Sequence, residues 1–141
     1  MRTNHRFSVP EVVIVAAVLG VVSVMTLPKF SQAGTDERLN TLCETLQSVR
    51  SQITLYNLHH DGRWPAQVNF VEQMTGTTNI NGTADPLDGA VLFGPYLDCV
   101  PVNPFTGGNS ITGGDWRYDE RTGRFAADDD GVTCGIRHID L

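Results

Sequence analysis

Several common signatures of enzymes and nucleic-acid-binding proteins are absent from this sequence. It has no G-x-S-x-G nucleophile motif, no glycine-rich phosphate loop and no H-E-x-x-H zinc motif, so catalysis is not expected. It also lacks a basic cluster, because 10 lysines and arginines stand against 16 acidic residues, which gives a net charge of −6. Binding to nucleic-acid phosphates requires a concentrated basic surface, so no nucleic-acid partner is expected.

The negative charge is concentrated in the second part of the chain. Residues 1–60 carry 4 acidic and 5 basic residues, a net charge of +1, and residues 61–141 carry the other 12 acidic and 5 basic residues, a net charge of −7. An acidic surface of this kind favours solubility and by itself indicates no particular chemistry.

Cysteine is scarce, and its spacing does not favour zinc. The three cysteines, Cys43, Cys99 and Cys134, include no C-x-x-C pair, so a zinc site built from Cys99, Cys134 and His138 is not favoured. An odd number of cysteines also leaves at least one of them outside any disulfide within the chain.

One long apolar stretch, from Phe7 to Phe30, lies near the start of the sequence. As a helix, the part that ends at Leu27 would extend about 32 Å, enough to cross the hydrocarbon core of a bilayer. Arg2 and Arg6 precede it and form the basic flank typical of the cytoplasmic side. The stretch is therefore predicted to be a membrane helix, with the following domain outside the cytoplasm.

An acidic residue, Glu11, interrupts this stretch and requires an explanation. An ionised carboxylate in hydrocarbon costs roughly 2.5–3.5 kcal/mol on insertion scales, so a partner is expected. A cleaved secretory signal would have a shorter apolar core that ends at an A-x-A type of site. A plain membrane anchor would leave Glu11 without a role.

The segment Phe7-Ser8-Val9-Pro10-Glu11, followed by a long apolar helix and Pro28, resembles the class III signal of type IV pilins and type II secretion pseudopilins. In that family a prepilin peptidase cuts before the Phe, and the new amine is usually methylated. The acid at the fifth mature position then faces the N-terminal ammonium of a neighbouring subunit, and this opposite charge offsets its burial. The resemblance implies processing between Arg6 and Phe7, and an assembly role for Phe7, Glu11 and Pro28. Arg6 stands where the family has Gly.

A second helical pattern covers residues 36–58. Asp36 and Glu37 suit the start of a helix, and apolar residues recur at spacings of three and four on one face. These residues are Leu39, Leu42, Cys43, Leu46, Val49, Ile53 and Tyr56. We expect this helix to continue the first one, with a bend or a melted turn between Pro28 and Gly34. His59 and His60 are interpreted as residues that complement the helix dipole, rather than as metal ligands or a base.

The remaining residues are predicted to form one globular head. About 110 residues lie outside the leader and the apolar helix, which is enough for one modest core. Residues 68–74 suggest a short helix, and residues 75–89 are rich in loop-forming residues. Residues 115–127 alternate apolar and polar side chains about a Thr122-Gly123 turn, which is typical of a β-hairpin. The predicted fold class is α+β, with a long N-terminal helix packed on a small antiparallel sheet.

Motifs in the head are similar to those of major pseudopilins of type II secretion. Gly94-Pro95-Tyr96-Leu97 and Pro101-Val102-Asn103-Pro104-Phe105-Thr106-Gly107 match the family's G-P-Y-L and P-x-N-P-F-x-G signature, and Trp116-Arg117-Tyr118 matches its W-x-Y strand. The resemblance implies a pilin-like fold in four parts. These are a basic leader (1–6), a transmembrane and assembly helix (7–30), its amphipathic continuation (31–60) and a periplasmic head (61–141).

The same resemblance implies a structural role. The chain would be a subunit of a type II secretion pseudopilus, held in the bacterial inner membrane by a single pass. Its partners would be further copies of itself in a filament, the prepilin peptidase, the minor pseudopilins and the inner-membrane secretion platform. Growth of the filament in the periplasm would drive protein export across the outer membrane. Two alternatives stay open: a type IV pilin for adhesion or DNA uptake, and a monomeric membrane-anchored ligand-binding domain.

The acidic turn Asp128-Asp129-Asp130 is the candidate metal site. Clustered carboxylates and loop carbonyls suit a hard cation such as calcium, and solvated turn acids are the alternative. The resemblance favours calcium, since major pseudopilins commonly bind it in their C-terminal loop. Further candidate ligands are Asp115, Asp119 and Asp140.

Cysteine pairing is predicted in the head. Cys99 and Cys134 both belong to it, and the compartment expected for the head permits disulfides. Cys43 lies on the apolar face of the helix and is expected to behave as a small hydrophobic residue.

Overall fold

The structure, a computed structural model, describes residues 9–84 and 91–141. Before residue 34 its side chains are described only at positions 10 and 13–17. The chain divides into two compact units, Met1–Glu37 and Arg38–Leu141.

One α-helix, α1, runs from Val9 to His59 over 51 residues. It continues through Pro28 and Gly34, so the melted turn predicted there is not formed. An interior proline removes one backbone hydrogen bond of a helix and typically kinks the helix without ending it. Within the described residues, no helical segment has both the length and the apolarity that a membrane span requires. The leader and the first residues of the predicted 7–30 segment lie outside the described residues.

The C-terminal part of α1 supplies one side of the core of the head, as its apolar spacing predicted. The fully buried residues on this face are Leu42, Leu46, Val49, Ile53 and Tyr56. Leu39 and Cys43, which share the predicted face, are half-buried. The helix ends where Asp61 and Gly62 adopt positive φ angles of 53° and 79°. The Gly62 amide donates to the carbonyl oxygen of Asn57 at 2.9 Å, which satisfies a carbonyl of the last turn.

A short helix and a hairpin complete the core, close to their predicted positions. A 3₁₀ turn at Gln67–Asn69 leads into α2, Phe70–Thr75. Strands β1, Trp116–Asp119, and β2, Arg124–Ala127, pair antiparallel. The side chains of Trp116, Tyr118 and Phe125 point into the core because alternate residues of a strand face the same side.

A second, unpredicted hairpin follows. Strands β3, Val132–Thr133, and β4, Ile136–Arg137, pair antiparallel and lead into a 3₁₀ turn at His138–Asp140. The described residues therefore form an α+β fold, with one long helix and two small antiparallel sheets where a single small sheet was predicted.

Arg50 joins the helix to the rest of the head. Its Nε donates to the carbonyl oxygen of Phe125 at 2.8 Å, and its guanidinium also donates to the main-chain oxygen of Leu141. Partial burial lowers the pKa of Arg50, and the nearby positive charge of Arg124 lowers it further. The side chain therefore links α1 to β2 and to the final residues described.

Candidate functional site

The residues predicted for processing and assembly lie at the start of the chain. Arg6 and Phe7 are outside the described residues, whereas Glu11 and Pro28 both belong to α1. In the same part of α1, Val13, Ile14 and Val15 have exposed fractions of 61%, 64% and 52%. Successive residues of an α-helix point about 100° apart. This part of the helix is therefore apolar and uncovered on more than one side.

The acidic turn follows β2 directly, and its three carboxylates have different surroundings. Asp128 forms an ion pair with Arg117 of β1. The side chain of Asp129 is only 11% exposed, and that of Asp130 faces solvent. The three acids are adjacent in sequence but are not gathered into one site.

The Asp129 carboxylate accepts three hydrogen bonds. Its Oδ1 accepts from the Gly131 amide at 2.9 Å and from Nδ1 of His138 at 2.5 Å, while its Oδ2 accepts from Nδ2 of Asn103 at 3.3 Å. A largely buried carboxylate that accepts several N–H hydrogen bonds has protein partners in place of water. Asp129 is thus the centre of a polar network inside the head.

His138 completes this network and is itself buried. The same Oδ1 already accepts from the Gly131 amide, so Nδ1 is assigned the ring proton and donates a hydrogen bond to Asp129. The other ring nitrogen, Nε2, lies 2.9 Å from the hydroxyl oxygen of Thr133. The ring centroid of Phe105 is 4.0 Å from that of His138 and covers the imidazole. Both nitrogens of the imidazole therefore have partners.

Asn103, in the middle of the P-x-N-P-F motif, connects the network to the proline-rich loop. It is fully buried, and its Nδ2 also donates to the carbonyl oxygen of Asp115 at 2.8 Å. Its Oδ1 accepts from the amide of Phe105 at 2.9 Å. Sequence reasoning identified Asn103 only as part of a motif. The available signal was an asparagine next to a proline in a turn-rich motif, whereas its burial and its partners are visible only in the structure.

The other candidate metal ligands also have protein partners. Asp115 accepts a hydrogen bond from the Ser110 amide at 3.0 Å. Hydrogen bonds from the Thr106 hydroxyl, which has the larger effect, and from this amide lower the pKa of Asp115. Asp119 caps the β1–β2 turn by accepting from the Arg121 amide and the Thr122 hydroxyl, each at 2.9 Å. These bonds lower the pKa of Asp119. A further acid, Asp140, pairs with Arg137 at 2.8 Å.

These arrangements do not fit a hard cation. Calcium takes six to eight oxygen ligands, whereas the groups that face Asp129 are N–H donors. Across residues 9–84 and 91–141, no three His, Cys, Asp or Glu side chains are grouped as a metal site would require, as far as those side chains are described. Calcium binding at Asp128, Asp129 and Asp130 stays a prediction that the donor set of Asp129 does not support.

The predicted Cys99–Cys134 disulfide is not formed in the structure. Cys134, with φ 53°, and Gly135, with φ 80°, form the exposed two-residue turn between β3 and β4. Cys99 lies on a different exposed loop. The zinc set with His138 is not assembled either, because the imidazole is turned inward to Asp129 and Thr133.

The two histidines at the end of α1 also face protein partners. His60 is fully buried and stacks on Tyr56 with ring centroids 3.7 Å apart. Its ring nitrogens lie 2.7 Å from the Tyr56 carbonyl oxygen and 2.9 Å from the Thr78 hydroxyl. Because a carbonyl oxygen only accepts, the His60 ring satisfies a carbonyl of the last turns of α1, as a histidine at a helix C-terminus can, although its burial was not predicted. His59 lies in the last turn, with Nδ1 3.0 Å from the Tyr96 hydroxyl.

No protein-family model, curated protein or solved structure matches this chain. The family resemblance therefore rests on the motifs given above.

Proposed function

We propose that this chain is a pilin-like filament subunit, most similar to the major pseudopilin of a type II secretion system. The observation that carries the proposal is the two-part character of α1. The helix has 51 residues, whereas a helix in a globular protein has about 11–12 on average. Its C-terminal part is buried in the head, and its N-terminal part has uncovered apolar residues at positions 13–15.

An apolar helix with several uncovered sides requires a non-aqueous environment. A bilayer provides one, and the same segments of neighbouring subunits provide another. In the proposed function the helix lies in the inner membrane before assembly and packs against other copies in the periplasmic filament afterwards. The C-terminal part of α1 belongs to the head itself, because Leu42, Leu46, Val49, Ile53 and Tyr56 lie in its core.

Glu11 would provide the contact that directs assembly. Cleavage before Phe7 creates a new ammonium group, and a carboxylate in an apolar bundle gains from such a partner. Glu11 of one subunit would pair with the ammonium of its neighbour, and Pro28 would belong to the same packing segment. Addition of subunits at the membrane would lengthen the filament and move secreted proteins outward.

The first test is the N-terminus of the protein isolated from membranes of its own host. Intact mass and N-terminal sequencing should show a chain that begins at Phe7 and carries an N-methyl group. The variant Arg6→Gly should be processed at least as completely, since glycine is the family's residue before the cut. Wild-type protein that still begins at Met1 would contradict the proposal.

The second test separates a filament subunit from a membrane-anchored monomer. Glu11→Ala should abolish cross-linked oligomers and sheared filaments while the protein stays in the membrane fraction. Glu72→Ala is the matched control, because it removes a carboxylate from an exposed position of α2. It should leave assembly unchanged. Full assembly of Glu11→Ala would refute the role of Glu11, whereas the absence of oligomers in wild type as well would favour an anchored binding domain.

A further inference from the structure

We infer that His138 closes the acidic turn from inside the head and occupies the place where such a turn would otherwise hold a cation, so that the head folds without bound calcium. This inference does not depend on filament assembly. It concerns how the segment from β3 to Leu141 is held against the rest of the head.

The first argument is the direction of the hydrogen bonds. The Gly131 amide, Nδ1 of His138 and Nδ2 of Asn103 all donate to the Asp129 carboxylate. A cation bound to the same oxygens would face these hydrogens, which carry partial positive charge. It would have to displace the donors, and the displaced buried groups would lose their partners.

The second argument is space. An atom at the Cβ position of Gly131 would lie 2.5 Å from Oδ1 of Asp129 and 2.5 Å from both Nδ1 and Cε1 of His138. The backbone of the turn, the carboxylate and the imidazole are therefore already in contact. Phe105 covers the ring from another side. On the side of Gly131 and His138, no room is left next to Oδ1 for an ion.

The third argument is connectivity. A structural cation in a loop holds several chain segments together, and the His138 side chain also joins two, through Asp129 nine residues earlier and Thr133 five residues earlier. Nδ1 reaches the acidic turn and Nε2 reaches Thr133 of β3, while the backbone amide of His138 donates to the Gly131 carbonyl oxygen at 3.0 Å. Through Asn103 the same network extends to the proline-rich loop.

Calcium itself is the probe for the first experiment. Thermal unfolding of the full-length chain in detergent is followed by circular dichroism, in excess EGTA and in millimolar CaCl₂ at constant ionic strength. We expect the same Tm in both. An ion present at a hundred times its Kd would raise the Tm by several degrees, and such an increase would overturn the inference.

Two variants then distinguish the internal histidine from a cation site. His138→Ala should lower the Tm by several degrees in EGTA, because it removes the buried hydrogen bonds of the imidazole to Asp129 and Thr133. Asp130→Asn should leave the Tm unchanged in both buffers, since that side chain faces solvent. An unchanged Tm for His138→Ala, or a calcium-dependent loss of stability in Asp130→Asn, would refute the assignment.

If His138→Ala does not fold, His138→Gln replaces it. The glutamine amide can donate one hydrogen bond to Asp129. This variant should therefore fold, with a Tm below that of wild type. Calcium could also restore either variant to the wild-type Tm, in a way that EGTA reverses, without affecting wild type. That result would support the view that the imidazole stands in the place of an ion.

Discussion

Gly123 offers a sharp test of the packing between the β1–β2 turn and the loop after α1. Its φ is 71°, and a Cβ at this position would lie 2.6 Å from Cδ2 and 2.7 Å from Cζ3 of Trp64, with Cε3 closer still. Gly123→Ala therefore carries two costs. The left-handed backbone costs a non-glycine residue about 1–2 kcal/mol, and overpacking against the ring typically costs about 1–3 kcal/mol more.

The expected loss for Gly123→Ala is thus about 2–5 kcal/mol. In a domain of this size each kcal/mol corresponds to a fall in Tm of roughly 4–8 °C, so a loss of at least about 8 °C is expected. Urea denaturation followed by circular dichroism measures the change in the free energy of unfolding. Thermal unfolding provides an independent check.

A matched glycine separates the two costs. Gly135 has φ 80°, and a Cβ there would meet no atom within 4 Å. Gly135→Ala should lower the free energy of unfolding by only about 1–2 kcal/mol, because only the left-handed backbone conformation is unfavourable there. In a Trp64→Ala background, the loss of stability caused by Gly123→Ala should fall to the same level of about 1–2 kcal/mol, because the ring that the new Cβ would meet is absent. Equal costs for the two glycine variants in wild type, or no relief in that background, would refute the reasoning.

Three further predictions concern stability. Leu46→Ala, in the core, should destabilise the head by about 2–5 kcal/mol, whereas Leu58→Ala, at a position 72% exposed, should change the free energy of unfolding by less than about 0.5 kcal/mol. Urea denaturation of both variants measures the contrast, and comparable losses would contradict the assigned face of α1. In alkali, burial raises the pKa of Tyr56 to about 12 and also raises that of Tyr118. Folding therefore favours the neutral phenols, so stability should be full below about pH 10 and decline as the pH rises toward 12. A Tm that stays constant over this range, or an undiminished decline in Tyr56→Phe, would contradict this reasoning. In acid, the lowered pKa of Asp115 means that its contribution to the stability of the fold is present above about pH 4 and lost as the pH falls further. In Asp115→Asn, the Tm should therefore fall less between about pH 4 and lower pH than it does in wild type.

The parts of the fold that local patterns determine were predictable. The spacing of Leu42, Leu46 and Val49 identified the buried face of α1, and alternation around Gly123 identified the β1–β2 hairpin. Both depend on periodicity within one segment, which a sequence displays directly. The second hairpin was harder to predict, because its turn, Cys134-Gly135, has the glycine but not the Asn or Asp that usually precedes it in a two-residue turn.

The polar network of the head was not predictable in the same way. The contact between His138 and Asp129 joins residues nine positions apart, and that between Asn103 and Asp129 joins residues 26 positions apart. His60 likewise meets Thr78 only after the chain has turned back. Such pairs follow no period, so the sequence shows polar residues of the right kinds but not which of them meet. The acidic turn therefore suggested a metal ligand set, although a histidine supplies its partner.

The contacts of Arg50 have a consequence for the order in which the protein is made. Its guanidinium reaches Phe125, 75 residues later, and Leu141, 91 residues later. At a synthesis rate of about 5–20 residues per second, roughly 4–18 seconds pass between the addition of Arg50 and that of these acceptors. During that interval the core face of the helix has no strands to cover it. Transiently exposed apolar surface is prone to aggregation, so slower translation of the second half of the chain would lengthen this exposure.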